Sequence, residues 1–258
     1  TPEAVEIHTA AIRKQIERCI GTSVEVVNNY DWFGGMGVIS FLRDIGKLFR
    51  IGTMLGKESV RSRLESESGM SFTEFSYQIF QGYDFYHLAH EFGVTVQCGG
   101  SDQWGNIVAG IECGRRIGGK ELYGFTFPLL TRSDGKKFGK SEEGAIWLDS
   151  SRTSPYDMYQ YLRRLPDADV IALMRRLTFM EESEIATYEA GLEKEPNRAQ
   201  VRLAQEVTRY VHSDEGVEMA ERMTRAAAPG AETQLDAATL EAIAAELGET
   251  QLKRGEVV

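Results

Sequence analysis

Tyr77, Gln81 and Asp84 stand at i, i+4 and i+7, a spacing that puts a phenol, an amide and a carboxylate on one face of a helix. Such a face can hold a small polar molecule such as an amino acid, or can be a half-exposed polar surface; spacing alone does not separate the two. Further along, Cys98-Gly99-Gly100-Ser101-Asp102-Gln103-Trp104-Gly105-Asn106 reads as a strand end, a glycine pair and a helix start. Glycines let a ligand come close to the backbone, and a helix N-terminus offers free amides to an anion. Asp102 can accept hydrogen bonds from ribose hydroxyls, and Gln103 can orient a carboxyl or carbonyl group. A third segment, Asp134 to Ser141, gathers Lys136, Lys137 and Lys140 around Gly139. Ammonium groups there can meet negative charge developing on a pyrophosphate leaving group; a solvated basic turn is the plainer meaning. Taken together, the segments suggest an enzyme that activates its substrate with ATP.

Two other patterns carry less. Gly114 to Lys120 fits G-x-x-x-x-G-K, but Glu121 replaces the Ser or Thr that a phosphate loop needs, and the pattern follows a helix rather than a strand. It reads better as a glycine-rich helix end. His87 and His90 can share a helix face, but no further metal ligands cluster near them in the sequence.

The elements that position these residues follow from capping and periodicity. Thr1-Pro2 reads as an N-cap and first-turn proline, and Gly21 as the end of that helix. Val24 to Val27 is a strand candidate, and the stretch from Asn28 to Gly37 a loop. Val38, Phe41, Leu42, Ile45 and Phe49 form one apolar helical face. Ser71-Phe72-Thr73-Glu74 fits a capping box, with Met70 and Phe75 at the staple positions. The resulting helix would present Tyr77, Gln81 and Asp84 on one side and bury Phe75, Ile79 and Phe85-Tyr86 on the other. Val94 to Gln97, Phe125 to Leu130 and Ala145 to Leu148 are further strand candidates, and the polar loop 131–144 lies between the last two. Consecutive helices begin at Ser154-Pro155, near Glu195-Pro196 and at Ser213. Residues 226–234 read as a linker, followed by a short helix at about 236–247.

The chain has 258 residues, with 42% hydrophobic and 26% charged side chains, the composition of an ordinary globular protein. No apolar run reaches the length of a membrane span and no secretion signal is evident, which predicts a cytoplasmic protein, with an organellar origin left open. Cys19, Cys98 and Cys113 are far apart and odd in number, so they read as reduced, mostly buried thiols rather than a disulfide or zinc framework. The net charge of −10 is concentrated in residues 181–258, which hold 17 acidic and 8 basic side chains. That total disfavours bulk attraction to nucleic acid but leaves room for a local basic track at Arg115-Arg116, Lys136-Lys137, Arg163-Arg164 and Arg175-Arg176.

Over nearly its whole length the sequence resembles bacterial-type tyrosyl-tRNA synthetases, members of the class I aminoacyl-tRNA synthetases. The resemblance rests on Asn28 to Trp32, Ser71 to Tyr77, Gln81 to Asp84, Gly99 to Asn106, and Lys137-Phe138-Gly139-Lys140-Ser141, which looks like the family's K-M-S-K-S loop. It implies an α/β fold: part of a Rossmann-like catalytic domain over residues 1–150, including a dimer-forming insertion and the lysine loop 131–144. An α-helical anticodon-side domain over 151–225 and a linker over 226–258 toward a C-terminal RNA-binding domain would come next. It implies tyrosine–tRNA ligase activity, with L-tyrosine, ATP and tRNA(Tyr) as partners, Mg²⁺ on the phosphates, no prosthetic group, no membrane, and a homodimer whose interface includes Phe72.

By the same resemblance Tyr77 and Gln81 hold the tyrosine ammonium group, and Asp84 accepts from the phenol. Gln103 lies near the carboxyl group and the adenylate, while Gln97 and Asn29 are outer positions of the pocket. Gly99 and Asp102 contact the ribose, Leu130 packs near the adenine, and Lys137 and Lys140, with Ser141 beside them, serve the phosphates. The family's His-Ile-Gly-His-like element is absent, since His8, His87, His90 and His212 form no H-x-G-H. The expectation is therefore the middle of a synthetase, unable by itself to form the adenylate. A tryptophanyl relative and a non-catalytic RNA-binding or scaffold descendant are the alternatives.

Overall fold

The computed structural model describes residues 1–228 apart from 22–23, 134, 136–137, 142–143 and 196. The expected 236–247 helix and most of the 226–234 linker lie outside the described residues. The chain divides into two compact units, residues 26–130 and residues 1–25 together with 131 onward. In this division the first helix and the lysine loop group with the later helices.

The 26–130 unit is a β–α–β layer with helices. Strand β1 (Val96–Gly100) pairs in parallel with β2 (Tyr123–Phe127), with Val96 opposite Tyr123 and Gly100 opposite Phe127. A 3-10 turn (Ser101–Gln103) and a helix (Trp104–Gly118) join them, as a parallel pair requires. Numbering helices from the chain start, α1 is Pro2–Ile20, α2 Tyr30–Phe33, α3 Val38–Ser40, α4 Ile51–Leu55, α5 Glu58–Leu64, α6 Phe72–Glu91 and α7 Trp104–Gly118. Between α3 and α4 the backbone runs through a π turn (Phe41–Ile45) and a 3-10 turn (Gly46–Leu48). The predicted single helix over 38–49 is thus wound three ways, and α4 and α5 follow in a stretch where the sequence predicts no element. Val24 to Val27 forms no strand.

Helix α6 begins as expected. The Ser71 hydroxyl accepts from the Glu74 amide at 3.2 Å, while the Glu74 carboxylate takes the Ser71 N–H at 2.9 Å. The Ser71 bonds and Arg63 hold the Glu74 carboxyl down at about 2. The buried stripe, however, is Gln78, Gly82, Phe85 and Ala89 rather than Phe75 and Ile79. Phe85 is 1% exposed and Ile107 of α7 is fully buried. Close approach of the two helices depends on Gly110, where a Cβ would stand 2.8 Å from the Phe85 Cβ. Helix α7 ends at Gly119, whose φ of 60° is the left-handed cap that glycine favours. Lys120 donates to the Ala89 carbonyl at 2.6 Å, so the G-x-x-x-x-G-K stretch is a helix terminus and not a phosphate loop.

The other unit is helical. A short antiparallel pair, β3 (Lys140–Ser141) and β4 (Gly144–Ala145), precedes α8 (Pro155–Arg163), α9 (Asp167–Leu177), α10 (Glu182–Gly191) and α11 (Arg198–Ala226). Ser154 caps α8 through the Asp157 amide at 3.0 Å with Pro155 in the first turn, as read from the sequence. The core is continuous: Leu162, Val170, Leu173, Met174, Leu203 and Ala204 are each at most 2% exposed. Ser213 interrupts α11 with φ 69° and ψ −179°, at the residue where the sequence predicts a new helix to start.

Candidate functional site

In the 26–130 unit, the face of α6 carrying Tyr77, Gln81 and Asp84 meets α2 with its N-cap Asn29, and the first turn of α7. Asp84 is the best-defined of the three. The Trp32 indole Nε1 donates to its Oδ1 at 2.8 Å, and the Asn29 Nδ2 donates to its Oδ2 at 3.2 Å. Burial pushes the Asp84 carboxyl above the ordinary carboxylate value; the Trp32 and Asn29 bonds, and the nearby His87, pull the other way. Trp32 is itself fixed by stacking on His87, with ring centroids 4.3 Å apart and planes at 25°. Each carboxylate oxygen is thus aimed by one donor and keeps a lone pair for a ligand hydroxyl.

A second chain of contacts links the helix to the glycine-pair segment. The Asn106 amide donates to the Gln81 Oε1 at 3.0 Å and lies 3.4 Å from the Gln103 Oε1; the Gln103 amide reaches the Asp102 Oδ2 at 3.3 Å. Gln81, Gln103 and Asp102 therefore belong to one polar network through Asn106. Tyr77, one turn before Gln81, is 62% exposed, and its hydroxyl makes no hydrogen bond among the described residues. Gln97, on β1, is half-buried and its Oε1 has no partner among the described residues, an acceptor that a ligand donor would satisfy.

The glycine pair fits tightly against the 3-10 turn and the end of β2. A Cβ at Gly99 would lie 3.0 Å from the Gln103 Cβ, and one at Gly100 would lie 2.6 Å from the Asp102 Oδ1 and 2.9 Å from the Leu129 Cδ2. Any side chain at residue 100 would therefore displace Asp102. Leu130 is half-buried just beyond β2. Gly99, Asp102, Gln103 and Leu130 thus fall at or beyond the C-terminal ends of two parallel strands, where open α/β sheets bind ligands.

The lysine loop belongs to the helical unit. Its leading end is tied to α9, where the Ser133 N–H donates to the buried Asp169 Oδ1 at 2.6 Å and Arg132 Nε stands 3.8 Å from Oδ2. At its far end Phe138 packs on Tyr161, with centroids 5.8 Å apart, and the Ile146 N–H donates to the Gly139 carbonyl at 3.0 Å. Lys137 lies outside the described residues, as do the side chains of Lys140 and Ser141, whose backbone forms β3.

Three participants were not singled out from sequence. Trp32 and Asn106 both sit inside quoted motifs, but no spacing rule links them to Asp84 or Gln81 across 52 and 25 residues. Lys57, whose ammonium donates to the Gly105 carbonyl at 2.7 Å in the first turn of α7, had no sequence signal at all. His90 pairs with the adjacent Glu91 at 2.7 Å, and no His, Cys, Asp and Glu cluster among the described residues could hold a metal. Of the cysteines only Cys113 is buried, which raises its thiol to about 11, and Cys98 is exposed; the expectation of mostly buried thiols is corrected, since Cys98 lies on the uncovered face of β1. Among the described residues no helix is long and apolar enough to cross a membrane.

A sequence model of the family described as tRNA synthetases class I (W and Y) matches residues 2–228. Among curated relatives, the tyrosine–tRNA ligase of Protochlamydia amoebophila is 55% identical over 231 residues, covering 88% of this chain and 54% of that protein. The chloroplastic/mitochondrial tyrosine–tRNA ligase of Arabidopsis thaliana is 49% identical, over 95% of this chain and 50% of its own length. An Escherichia coli tyrosine–tRNA ligase is 47% identical, over 95% and 59%. The chain thus spans about half the length of the curated relatives it matches. Among solved structures, a C-terminally truncated mitochondrial tyrosyl-tRNA synthetase of Coccidioides posadasii superimposes with a TM-score of 0.66 at 32% identity, covering 81% of this chain and 65% of that one.

Proposed function

The chain belongs to the class I tRNA synthetases of the tryptophan and tyrosine family, and from that premise we propose that it carries the tyrosine-recognising part of a tyrosine–tRNA ligase. The observation that carries this reading is Asp84: a half-buried carboxylate whose two oxygens are each oriented by a donor, from Trp32 and from Asn29. Such a group is suited to accept a phenol hydroxyl and is costly to leave unpaired beside phenylalanine. That identities of 47–55% go with relatives named tyrosine–tRNA ligase supports the same amino acid.

In this reading Tyr77 and Gln81 receive the substrate ammonium group, with Asn29 and Gln97 farther out. Gln103 orients the carboxylate, and Gly99, Asp102 and Leu130 serve the nucleoside. The tyrosine carboxylate attacks the α-phosphorus of ATP, the bond to pyrophosphate breaks, and tyrosyl-adenylate forms. A hydroxyl of the tRNA 3′-terminal adenosine then attacks the carbonyl carbon, and AMP leaves. The chain's contribution is positioning and charge: the Asn106-linked network fixes Gln81, Gln103 and Asp102 before substrate arrives. Lys137 and Lys140, beside Ser141, neutralise the leaving phosphates, and Mg²⁺ accompanies ATP. A cytoplasmic homodimer completes the proposal; the exposure of Phe72 (77%), Ile39 (75%) and Val38 (71%) supports a protein partner on this unit.

Calorimetric titration of a non-hydrolysable tyrosyl-sulfamoyl-adenosine tests the reading. It should bind at least tenfold more tightly than the tryptophanyl analogue. The reverse order would assign the chain to the tryptophan branch of the family, and equal weak binding of both would remove the site.

A further inference from the structure

The helical unit contains an apolar cavity of about 440 Å³ that serves no step above. Its walls are Phe138, Ile146, Met158, Leu162 and Val207, and Phe179 and Tyr210 stand at its edge, 85% and 42% exposed with ring centroids 5.5 Å apart. The volume falls in the range of small-molecule sites. Two polar groups stand out in the lining, beside Thr178 and the rim hydroxyl of Tyr210. Among the described residues the buried Tyr161 hydroxyl has no hydrogen-bond partner, and a buried donor in that state costs stability until something accepts from it. Arg176, in the last turn of α9, lines the same cavity. Unlike Arg175, which is bonded to Glu182 and Glu189, it has no hydrogen bond or ion pair among the described residues.

A mainly apolar chamber with a buried hydroxyl and a guanidinium that both lack partners among the described residues selects a particular ligand chemistry. We propose that this cavity binds an aromatic monocarboxylate, whose ring system fills the chamber while its carboxylate accepts from Arg176 and from the Tyr161 hydroxyl. A planar carboxylate matches a guanidinium in two parallel bonds, and the ring would stack in the aromatic rim of Phe179 and Tyr210. Because Phe138 and Gly139 form one wall, the ligand would touch the backbone from which Lys140 follows directly.

The probe is 2-naphthoate, titrated into the protein by calorimetry, with neutral 2-naphthalenemethanol as its uncharged counterpart. Saturable one-site binding of naphthoate is expected, weakened about tenfold by Arg176→Gln and several-fold by Tyr161→Phe. The alcohol should bind more weakly and be indifferent to Arg176→Gln. Filling the chamber with Val207→Trp should abolish binding of both, and excess L-tyrosinol, which keeps the phenol and ammonium of tyrosine but has no carboxylate, should not compete. Absence of saturation at millimolar naphthoate would overturn the proposal. So would equal losses of acid and alcohol in Arg176→Gln, unchanged binding in both polar variants, or competition by tyrosinol. Arg176 is exposed, and Tyr161→Phe removes a single oxygen, so neither variant depends on refolding the core.

Discussion

Asp84→Asn separates the charge of this carboxylate from its shape. In the native protein Oδ1 accepts from Trp32 at 2.8 Å and Oδ2 from Asn29 at 3.2 Å, and a carboxylate has about four acceptor sites, so capacity remains for a substrate phenol. Asparagine keeps the volume and an oxygen for Trp32, but its amide nitrogen then confronts the Asn29 donor and the charge is gone. A hydrogen bond to a charged group contributes about 1.5–3 kcal/mol. At 1.36 kcal/mol per decade, kcat/KM for tyrosine should fall by roughly 10- to 150-fold. Phenylalanine offers no hydroxyl, so its kcat/KM should stay level or rise, since a neutral amide is cheaper to bury unpaired than a carboxylate. The assay is amino-acid-dependent ATP–pyrophosphate exchange by the complete gene product, with circular dichroism to confirm that the fold is kept. The reasoning fails if tyrosine kcat/KM stays within about threefold of wild type, a change too small for loss of a charged hydrogen bond, or if tyrosine and phenylalanine decline together.

Three further outcomes rest on the same kind of geometry. Because burial raises the Asp84 carboxyl in the folded state, the native protein holds that proton more firmly than the unfolded chain. Stability from this group is therefore lost as pH rises from the unfolded value to the raised folded one. Tyrosine affinity should fall as pH drops through the raised value. Trp32→Phe, which removes one stabilising donor, should move that midpoint higher still, as read by tyrosine titrations from pH 4 to 8; a midpoint lowered by Trp32→Phe would contradict the assigned bond. Ser213→Gly should raise stability by about 1 kcal/mol in urea unfolding, since φ 69° with ψ −179° is a conformation almost confined to glycine; destabilisation would show that the hydroxyl bond to Glu215 outweighs the strain. Gly110→Ala should cost about 1–3 kcal/mol, because the new methyl meets the Phe85 Cβ at 2.8 Å between two packed helices; an unchanged melting curve would refute the close packing.

Much of this was legible where the signal is local. Ser71 and Glu74 act within one turn, Ser154-Pro155 likewise, and Gly119 ends α7 as the glycine-rich stretch implied. The common face of Tyr77, Gln81 and Asp84 needed only helical periodicity, and the glycine pair only the strand-to-helix change. The features that stayed hidden depend on contacts between distant residues. The buried stripe of α6 runs through Gln78 and Gly82 because Phe49 and α7 press on that side, and no hydrophobicity pattern favours a glutamine and a glycine there. Trp32 and Asn106 became site residues only once loop, α6 and α7 were assembled. Residues 38–48 wind through α, π and 3-10 turns of different pitch, and the near-helical spacing of their apolar residues does not distinguish that from one helix. The amino acid itself came from the resemblance, since a phenol, an amide and a carboxylate on one face fit more than one polar ligand.

The most direct measurement is a three-way comparison of tyrosine, tryptophan and phenylalanine as substrates for ATP–pyrophosphate exchange by the complete gene product. Exchange that depends on tyrosine, exceeds that with either competitor by orders of magnitude, and loses its margin over phenylalanine in Asp84→Asn is the predicted result. Exchange supported by tryptophan, or a tyrosine preference that survives Asp84→Asn intact, would contradict it.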